Sequence, residues 1–206
     1  MAYTTINKPT DYFNVVTWTG TSDSTTAVTG VGHQPDFIWI KNRDVQDDHM
    51  VYDAVRGGTK RIFTNSAGAE GTESQGIQSF DSDGFTTGSH RATGGDSGNT
   101  MVSWNWKAGT SFTNDASATG IGTIDSTGSV NTDAGFSVIS YTGDANADNT
   151  VAHGLGSVPK MIILKNRSIS SNWMVYHAST GAQAPLFLNL INAAGSGDGD
   201  RFKCVP

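Results

Sequence analysis

Residues 30–43 return as residues 154–167 without a gap, and seven of the fourteen pairs are identical. Gly30-Val31-Gly32-His33-Gln34-Pro35 opens the first stretch and Gly154-Leu155-Gly156-Ser157-Val158-Pro159 the second; Lys41-Asn42-Arg43 and Lys165-Asn166-Arg167 close them. The same offset of 124 residues pairs Met50-Val51-Tyr52 with Met174-Val175-Tyr176, then Gly57, Phe63 and Asn65 with Gly181, Phe187 and Asn189. This is an internal duplication. Its period is far longer than the roughly 20–50 residues of solenoid units, so each copy is expected to be a small domain. The expected organisation is an N-terminal arm over residues 1–13, a first module over 14–109, a connector with weak strands over 110–135, and a second, incomplete copy over 136–206.

Within a copy the residues favour strands. Runs such as Val15-Val16-Thr17-Trp18-Thr19 and Phe37-Ile38-Trp39-Ile40 are β-branched and aromatic, and they stop at glycine or polar clusters. The chain holds 25 glycines, above the usual share of about 7%, and lacks long Ala/Leu/Glu/Lys runs, so turns replace helices. Residues 15–19 and 27–28 are expected to form a hairpin. Asp81-Ser82-Asp83-Gly84 between two apolar runs predicts a tight hairpin turn. In the 37–41 strand both faces are apolar at the middle, which predicts a central strand or one covered by a neighbouring subunit. Short strands at regular spacing predict an all-β fold of two tandem antiparallel β-sandwich modules, jelly-roll or concanavalin-like, the second incomplete.

Charge and targeting signals narrow the partners. A net charge of -6 with only 13 basic residues gives no footprint for nucleic acid. The N-terminus has neither a basic start nor an apolar run, so no export signal or membrane insertion is expected. A lone cysteine, Cys204, offers no intramolecular disulfide. Asn166-Arg167-Ser168 matches a glycosylation acceptor, but with no export signal the match is read as accidental.

No familiar constellation for catalysis or metal binding is complete. Asp47-Asp48-His49 with Asp53 could offer ligands to a metal, yet the second copy replaces them with Ser170-Ser171-Asn172-Trp173 and His177, so a solvated loop is the simpler reading. Asp144-Ala145-Asn146-Ala147-Asp148 has the opening spacing of a calcium loop but lacks its glycine and terminal carboxylate. The five histidines show no ligand spacing, and neither a phosphate loop nor a nucleophile elbow occurs. No cofactor or metal is implied, and the chain is expected not to be an enzyme. Trp104 and Trp106 share a strand face with Val102; they suit a sugar-stacking platform or, more simply, the core.

The residues retained between copies are the remaining candidates. Lys41, Asn42, Arg43 and Lys165, Asn166, Arg167 either form a ligand site built twice, with Asn and Arg as directional donors, or a structural corner whose side chains bond loop carbonyls. Retention within a duplication favours the corner. Tyr3, Ile6, Tyr12 and Phe13 punctuate the polar arm, which reads as a frayed terminus or as an anchor that orders by docking onto another subunit.

These residues carry a family resemblance. Thr19-Gly20 with residues 30–43, Met50-Val51-Tyr52, the closing Trp104-Asn105-Trp106-Lys107-Ala108-Gly109, and then Tyr141-Thr142-Gly143 with residues 154–167 and 173–176 resemble the repeated module of tail-fibre-like virion proteins of marine bacteriophages, of the cyanophage and pelagiphage type. The resemblance implies a non-enzymatic structural component of the virion, a homotrimeric tail fibre or tail-attached appendage contributing to host adhesion. Its implied partners are its own copies, other phage tail or capsid proteins, and a host-surface glycan. Residues 195–206 do not follow the module's closing strand, so a distal receptor-binding domain is expected elsewhere. A carbohydrate-binding module or glycan-degrading enzyme, and a capsid decoration protein, are the alternatives.

Overall fold

The structure, a computed structural model, describes residues 6–146 and 148–195. The first copy contributes nine strands: β1 (Phe13–Thr19), β2 (Thr25–Thr29), β3 (Phe37–Asn42), β4 (Met50–Asp53), β5 (Lys60–Phe63), β6 (Gly71–Thr72), β7 (Ile77–Asp81), β8 (Gly84–Gly88) and β9 (Thr100–Trp106). After it come β10 (Thr110–Asn114), the four-residue helix α1 (Ala116–Thr119), β11 (Ser126–Asn131), β12 (Phe136–Tyr141), β13 (Met161–Leu164), β14 (Met174–His177) and β15 (Leu186–Phe187). Helix α1 is stopped on both sides: the Asp115 carboxylate accepts the Ala118 N–H, and Gly120 turns left-handed at φ 67°. The all-β class read from the sequence is the observed one.

Two sheets make the first sandwich. A six-stranded sheet runs β1-β9-β3-β4-β5-β6 and a three-stranded sheet runs β2-β8-β7. Alternation sends Val16 and Trp18 of β1, Ile38 and Ile40 of β3, Met50 and Tyr52 of β4, and Met101 of β9 to one face. There they meet Val28, Ile77 and Phe85 of the smaller sheet and Ala92 beneath it. Phe85 is fully buried and lies edge-on to Trp18, ring centroids 5.6 Å apart. Burying each such side chain contributes about 1.5–3 kcal/mol, which makes this the dominant stabilising layer. Strand β3 is central, between β9 and β4, as its two apolar faces predict.

The expected hairpin of β1 with β2 does not form. β1 pairs antiparallel with β9 and β2 with β8, so the chain crosses from one layer to the other between them. The crossing is pinned at Gly20, whose N–H donates to the Asn99 carbonyl (2.7 Å) and whose carbonyl accepts the Gly98 N–H (3.0 Å). It lets Trp18 and Val28 enter the same core from opposite sheets, which a flat hairpin cannot do. The Asp81–Gly84 hairpin forms as expected, with Asp81 opposite Gly84.

The β9 tryptophans lie on the side away from the core. Met101, Ser103 and Asn105 are buried inward, whereas Val102, Trp104 and Trp106 lie half-buried on the outer face. The inward polar groups are tolerated because Asn105 Nδ2 donates to the Asn14 carbonyl (3.1 Å) and to Ser103 Oγ (3.0 Å).

The connector is more ordered than its composition suggests. β10 and β11 join β12 in one three-stranded sheet, and Ile124 bridges to Val151. β13, β14 and β15 form a second three-stranded sheet. By the repeat, β12 to β15 stand where β1, β3, β4 and β5 stand in the first copy.

Candidate functional site

The retained Lys-Asn-Arg triplets sit at the C-terminal ends of β3 and β13. Asn42 Oδ1 accepts the N–H groups of Asp44 and Val45 (3.1 and 3.4 Å), and Asn166 Oδ1 accepts those of Ser168 and Ile169 (2.9 and 3.2 Å). These are Asx-type turns, in which a short amide replaces a missing backbone acceptor. Lys41 Nζ donates to the carbonyls of Asn42 (2.5 Å) and Val45 (3.1 Å); Lys165 Nζ donates to those of Asn166 (2.9 Å) and Ala67 (3.2 Å). Burial lowers the Lys165 pKa. Around each corner the pattern continues. Asn65 Oδ1 accepts the His49 N–H and Asn189 Oδ1 the Trp173 N–H (3.0 and 2.9 Å), while Asn65 Nδ2 donates to Asp48 and Asn189 Nδ2 to Asn172, both at 2.9 Å. Gly30, Gly32 and Gly57 have φ of 86°, 85° and 94°, and Gly154, Gly156 and Gly181 have 72°, 68° and 79°, a left-handed conformation that favours glycine. The asparagine turns, the lysine bond to the following asparagine carbonyl and the glycine conformations are therefore the same in both copies, while the second lysine bond goes to Val45 in the first copy and, in the second, to Ala67 of the first.

The arginines diverge. Arg43 is exposed, and its side chain makes no hydrogen bond or ion pair among the described residues. Arg167 instead clamps Glu70 of the first copy through Nε (2.8 Å) and a terminal nitrogen (2.9 Å), and donates to Ser140 Oγ (2.8 Å). Glu70 also receives Arg56 (3.0 Å), which in turn holds Asp53 (2.5 Å). Burial pushes the Glu70 carboxyl up, but hydrogen bonds from Arg167 and Arg56 outweigh it and hold the group below its ordinary value. The Trp173 indole N–H donates to the Phe63 carbonyl (2.7 Å), and the Ser171 N–H to that of Ala67 (2.8 Å). The corner of the second copy thus rests on the loop after β5 of the first. No sequence signal marks Glu70, which lies 97 positions from Arg167.

The other candidates are placed as follows. Asp47 pairs with Arg91, Asp48 with Asn65, and Asp53 with Arg56, so the carboxylates near His49 are dispersed onto separate partners. Among the described residues no cluster of His, Cys, Asp or Glu is arranged to hold a metal ion. Asp144 accepts the Asn146 N–H (2.9 Å) and bonds the Asn149 amide, closing that loop on itself. Asp83 ties the β7–β8 turn to the connection that leaves β2: its carboxylate accepts the N–H groups of Gly32 (2.6 Å) and Gly30 (3.1 Å), which hold its pKa below the ordinary value. Sequence reasoning assigned Asp83 to a turn and missed this clamp. In the arm, residues 9–11 form a short 3-10 turn, Ile6 and Tyr12 are half-buried, and Phe13 lies in β1. Tyr3 and Cys204 lie outside the described residues.

Phe13 belongs to an aromatic row on the outer face of the six-stranded sheet. Its ring lies 4.7 Å from Trp106, which also meets Phe37 (5.4 Å) and stacks on Phe136 of β12 (6.1 Å). Further along, Trp39 and Trp104 meet edge-on at 6.1 Å beside Val15, which is 42% exposed. Phe136 therefore covers one end of the row, while at the other end Val15 is exposed and Trp39 and Trp104 are half-buried.

Among the described residues no helix is long and apolar enough to cross a membrane. No curated protein and no solved structure matches the chain. Residues 8–203 match a domain of unknown function, DUF7483, and the chain belongs to that family.

Proposed function

We propose that the chain is a non-enzymatic structural component of a bacteriophage virion, a tail fibre or tail-attached appendage that assembles as a homotrimer with other tail or capsid proteins and contributes to host attachment. One observation carries this reading: the lysines and asparagines kept between copies are spent on internal bonds, and apolar residues are exposed or half-buried on the outer sheet face. Val15, Trp39 and Trp104 present such a surface on the first copy. Contiguous apolar sheet faces drive association, at about 25 cal/mol for each Å² removed from water. The motif resemblance supplies the virion setting. Mass spectrometry of purified particles together with light scattering of the isolated chain tests it. The expected result is a trimer that is a stoichiometric particle component, and Val15→Lys shifts it toward monomer. A folded monomer that never appears in particles overturns the proposal.

The half-buried Trp39–Trp104 pair on the outer sheet face favours a second reading, a host-glycan platform on which a sugar ring stacks. It predicts glycan-array binding that Trp104→Ala abolishes without loss of the trimer.

A further inference from the structure

Where the chain leaves the first sandwich it is held as firmly as at the two corners, yet several polar side chains there are unspent. Asp36 is buried, and its Oδ2 accepts the N–H groups of Ala108 (2.8 Å) and Gly109 (2.6 Å), which fixes the exit from β9. The hairpin of β11 and β12 is fixed beside it. Phe136 stacks on Trp106 (6.1 Å) and lies edge-on to Phe37 (6.0 Å), and Asn131 Oδ1 closes the turn by accepting the Ala134 N–H (2.9 Å). Between these two fixed segments lies a shallow cleft of about 480 Å³, lined by Lys107, Thr110, Asn131, Thr132 and Asp133, with Val130 as an apolar part of its wall. Small-ligand sites run about 300–1,000 Å³.

What marks the cleft is the state of its polar groups. Asn14, Asn42, Asn65, Asn105, Asn114 and Asn189 all donate their side-chain amides to protein acceptors. The Asn131 amide nitrogen has no acceptor among the described residues, although the oxygen beside it is held by the turn. Nor do the side chains of Lys107, Thr110, Thr132 and Asp133 have a hydrogen-bond or ion-pair partner there. A Cβ on Gly109 would meet the Lys107 stem at 3.8 Å and Asn131 Nδ2 at 3.9 Å, so the two half-buried donors flank that glycine. Two donors, a carboxylate and two hydroxyls therefore line one space. An anion would suit the donors but be repelled by Asp133, and a cation would meet the reverse. Each hydroxyl of a sugar both donates and accepts, so a neighbouring pair serves donors and carboxylate together.

We infer that this cleft binds a carbohydrate, a neutral pyranoside whose adjacent hydroxyls accept from Lys107 Nζ and Asn131 Nδ2 and donate to Asp133. The walls are set before the ligand arrives, by Asp36 on one side and by Phe136 on the other, so little ordering opposes binding. The site uses none of the Trp39–Trp104 surface and does not depend on the virion reading.

The probes are the methyl glycosides of glucose, mannose and galactose, each titrated to about 10 mM into the isotope-labelled full chain and followed by backbone amide NMR. Saturable shifts at Gly109 and Thr132 are expected with at least one of them. Asn131→Asp keeps the oxygen that closes the turn and removes the amide donor; Lys107→Met keeps the stem and removes the ammonium. Each should weaken binding about tenfold or more while the thermal midpoint holds, and Asp133→Asn serves if either variant does not fold. Trp104→Ala should leave the affinity unchanged. Absence of saturable shifts with all the glycosides overturns the proposal, as does binding indifferent to the cleft substitutions. Shifts at the same amides with propionate or butylammonium but with no glycoside make this an ion site and overturn it too. Binding lost in Trp104→Ala and kept in Lys107→Met also overturns it, and assigns the sugar to the tryptophan platform instead.

Discussion

Asn42 and Asn166 make the same pair of turn-closing bonds at different depths. Asn42 is fully buried and Asn166 is exposed. Removing a fully buried acceptor from part-buried bonds costs about 1–3 kcal/mol, whereas water replaces an exposed acceptor for about 1 kcal/mol or less. Urea unfolding should therefore show Asn42→Ala losing about 1–3 kcal/mol and Asn166→Ala about 1 kcal/mol or less. Equal losses would mean that the corner is held by something other than these bonds. His33 gives a prediction in pH at the same scale. It is 4% exposed, and burial is the main cause that lowers its pKa from 6.5, reinforced by Lys107 and opposed by the Thr10 backbone, Asp36 and Asp11. A histidine whose pKa is lowered in the folded state binds its proton more readily when unfolded. Its contribution is complete above the unfolded value of 6.5 and is lost as pH falls below it. The urea midpoint should drop between about pH 7.5 and about pH 5, before the paired carboxylates begin to protonate. His49 is lowered in the same direction, first by burial, so NMR titration of each ring assigns the share; a His33 ring titrating at or above 6.5 would refute its role.

The turn of the β7–β8 hairpin is tied to the connection that leaves β2. Gly84 has φ 151°, and a Cβ there would overlap the Val28 carbonyl oxygen of the neighbouring strand. Gly84→Ala should cost at least about 1–3 kcal/mol from backbone strain alone, more with the displacement of β2, read as a lowered thermal midpoint. What could be read from the sequence at this scale was whatever local backbone geometry demands. Gly30 and Gly154, and Asn42 and Asn166, recur because each meets a need set within a few residues, and so does the turn at Asp81–Gly84; Asn65 and Asn189 recur while bonding 16 and 17 positions back. Facing was less legible. Period-two alternation places Val102, Trp104 and Trp106 together, but parity does not say which side is inside. Bulk argued for the core. The observed sheet buries Ser103 and Asn105 instead, because Asn105 finds its partner on Asn14, 91 positions away. Long-range partners of that kind leave no trace in spacing, which is also why the Asp83 clamp, 51 and 53 positions from its partners, and the misassigned β1–β2 pairing were out of reach.

At the scale of the whole chain, the described residues of the two copies differ in how far their apolar side chains are covered and are joined by a polar seam. The first has two packed layers around a contiguous core, while the second offers two small sheets whose apolar residues are largely half-exposed. Left to itself the second copy buries too little apolar surface to balance the cost of ordering it, so its order depends on contacts with the first. Glu70 is the hinge of that dependence. Its side chain is 13% exposed and accepts both Arg56, 6% exposed, and Arg167, 39% exposed. Removing the carboxylate leaves Arg56 with Asp53 but frees Arg167 and the loop that also receives Lys165, Ser171 and Trp173. Breaking a buried pair costs about 3–5 kcal/mol, and the partly exposed Arg167 reduces this to about 2–3 kcal/mol. The consequence is a change in cooperativity as well as in stability. Calorimetry of the intact chain should give one transition; Glu70→Ala should split it, with the second copy melting first and the first copy keeping its midpoint. Hydrogen exchange checks the assignment, because protection should fall in β13 and β14 and persist in β3 and β4. A uniform loss across both copies would show that the seam is not where they couple.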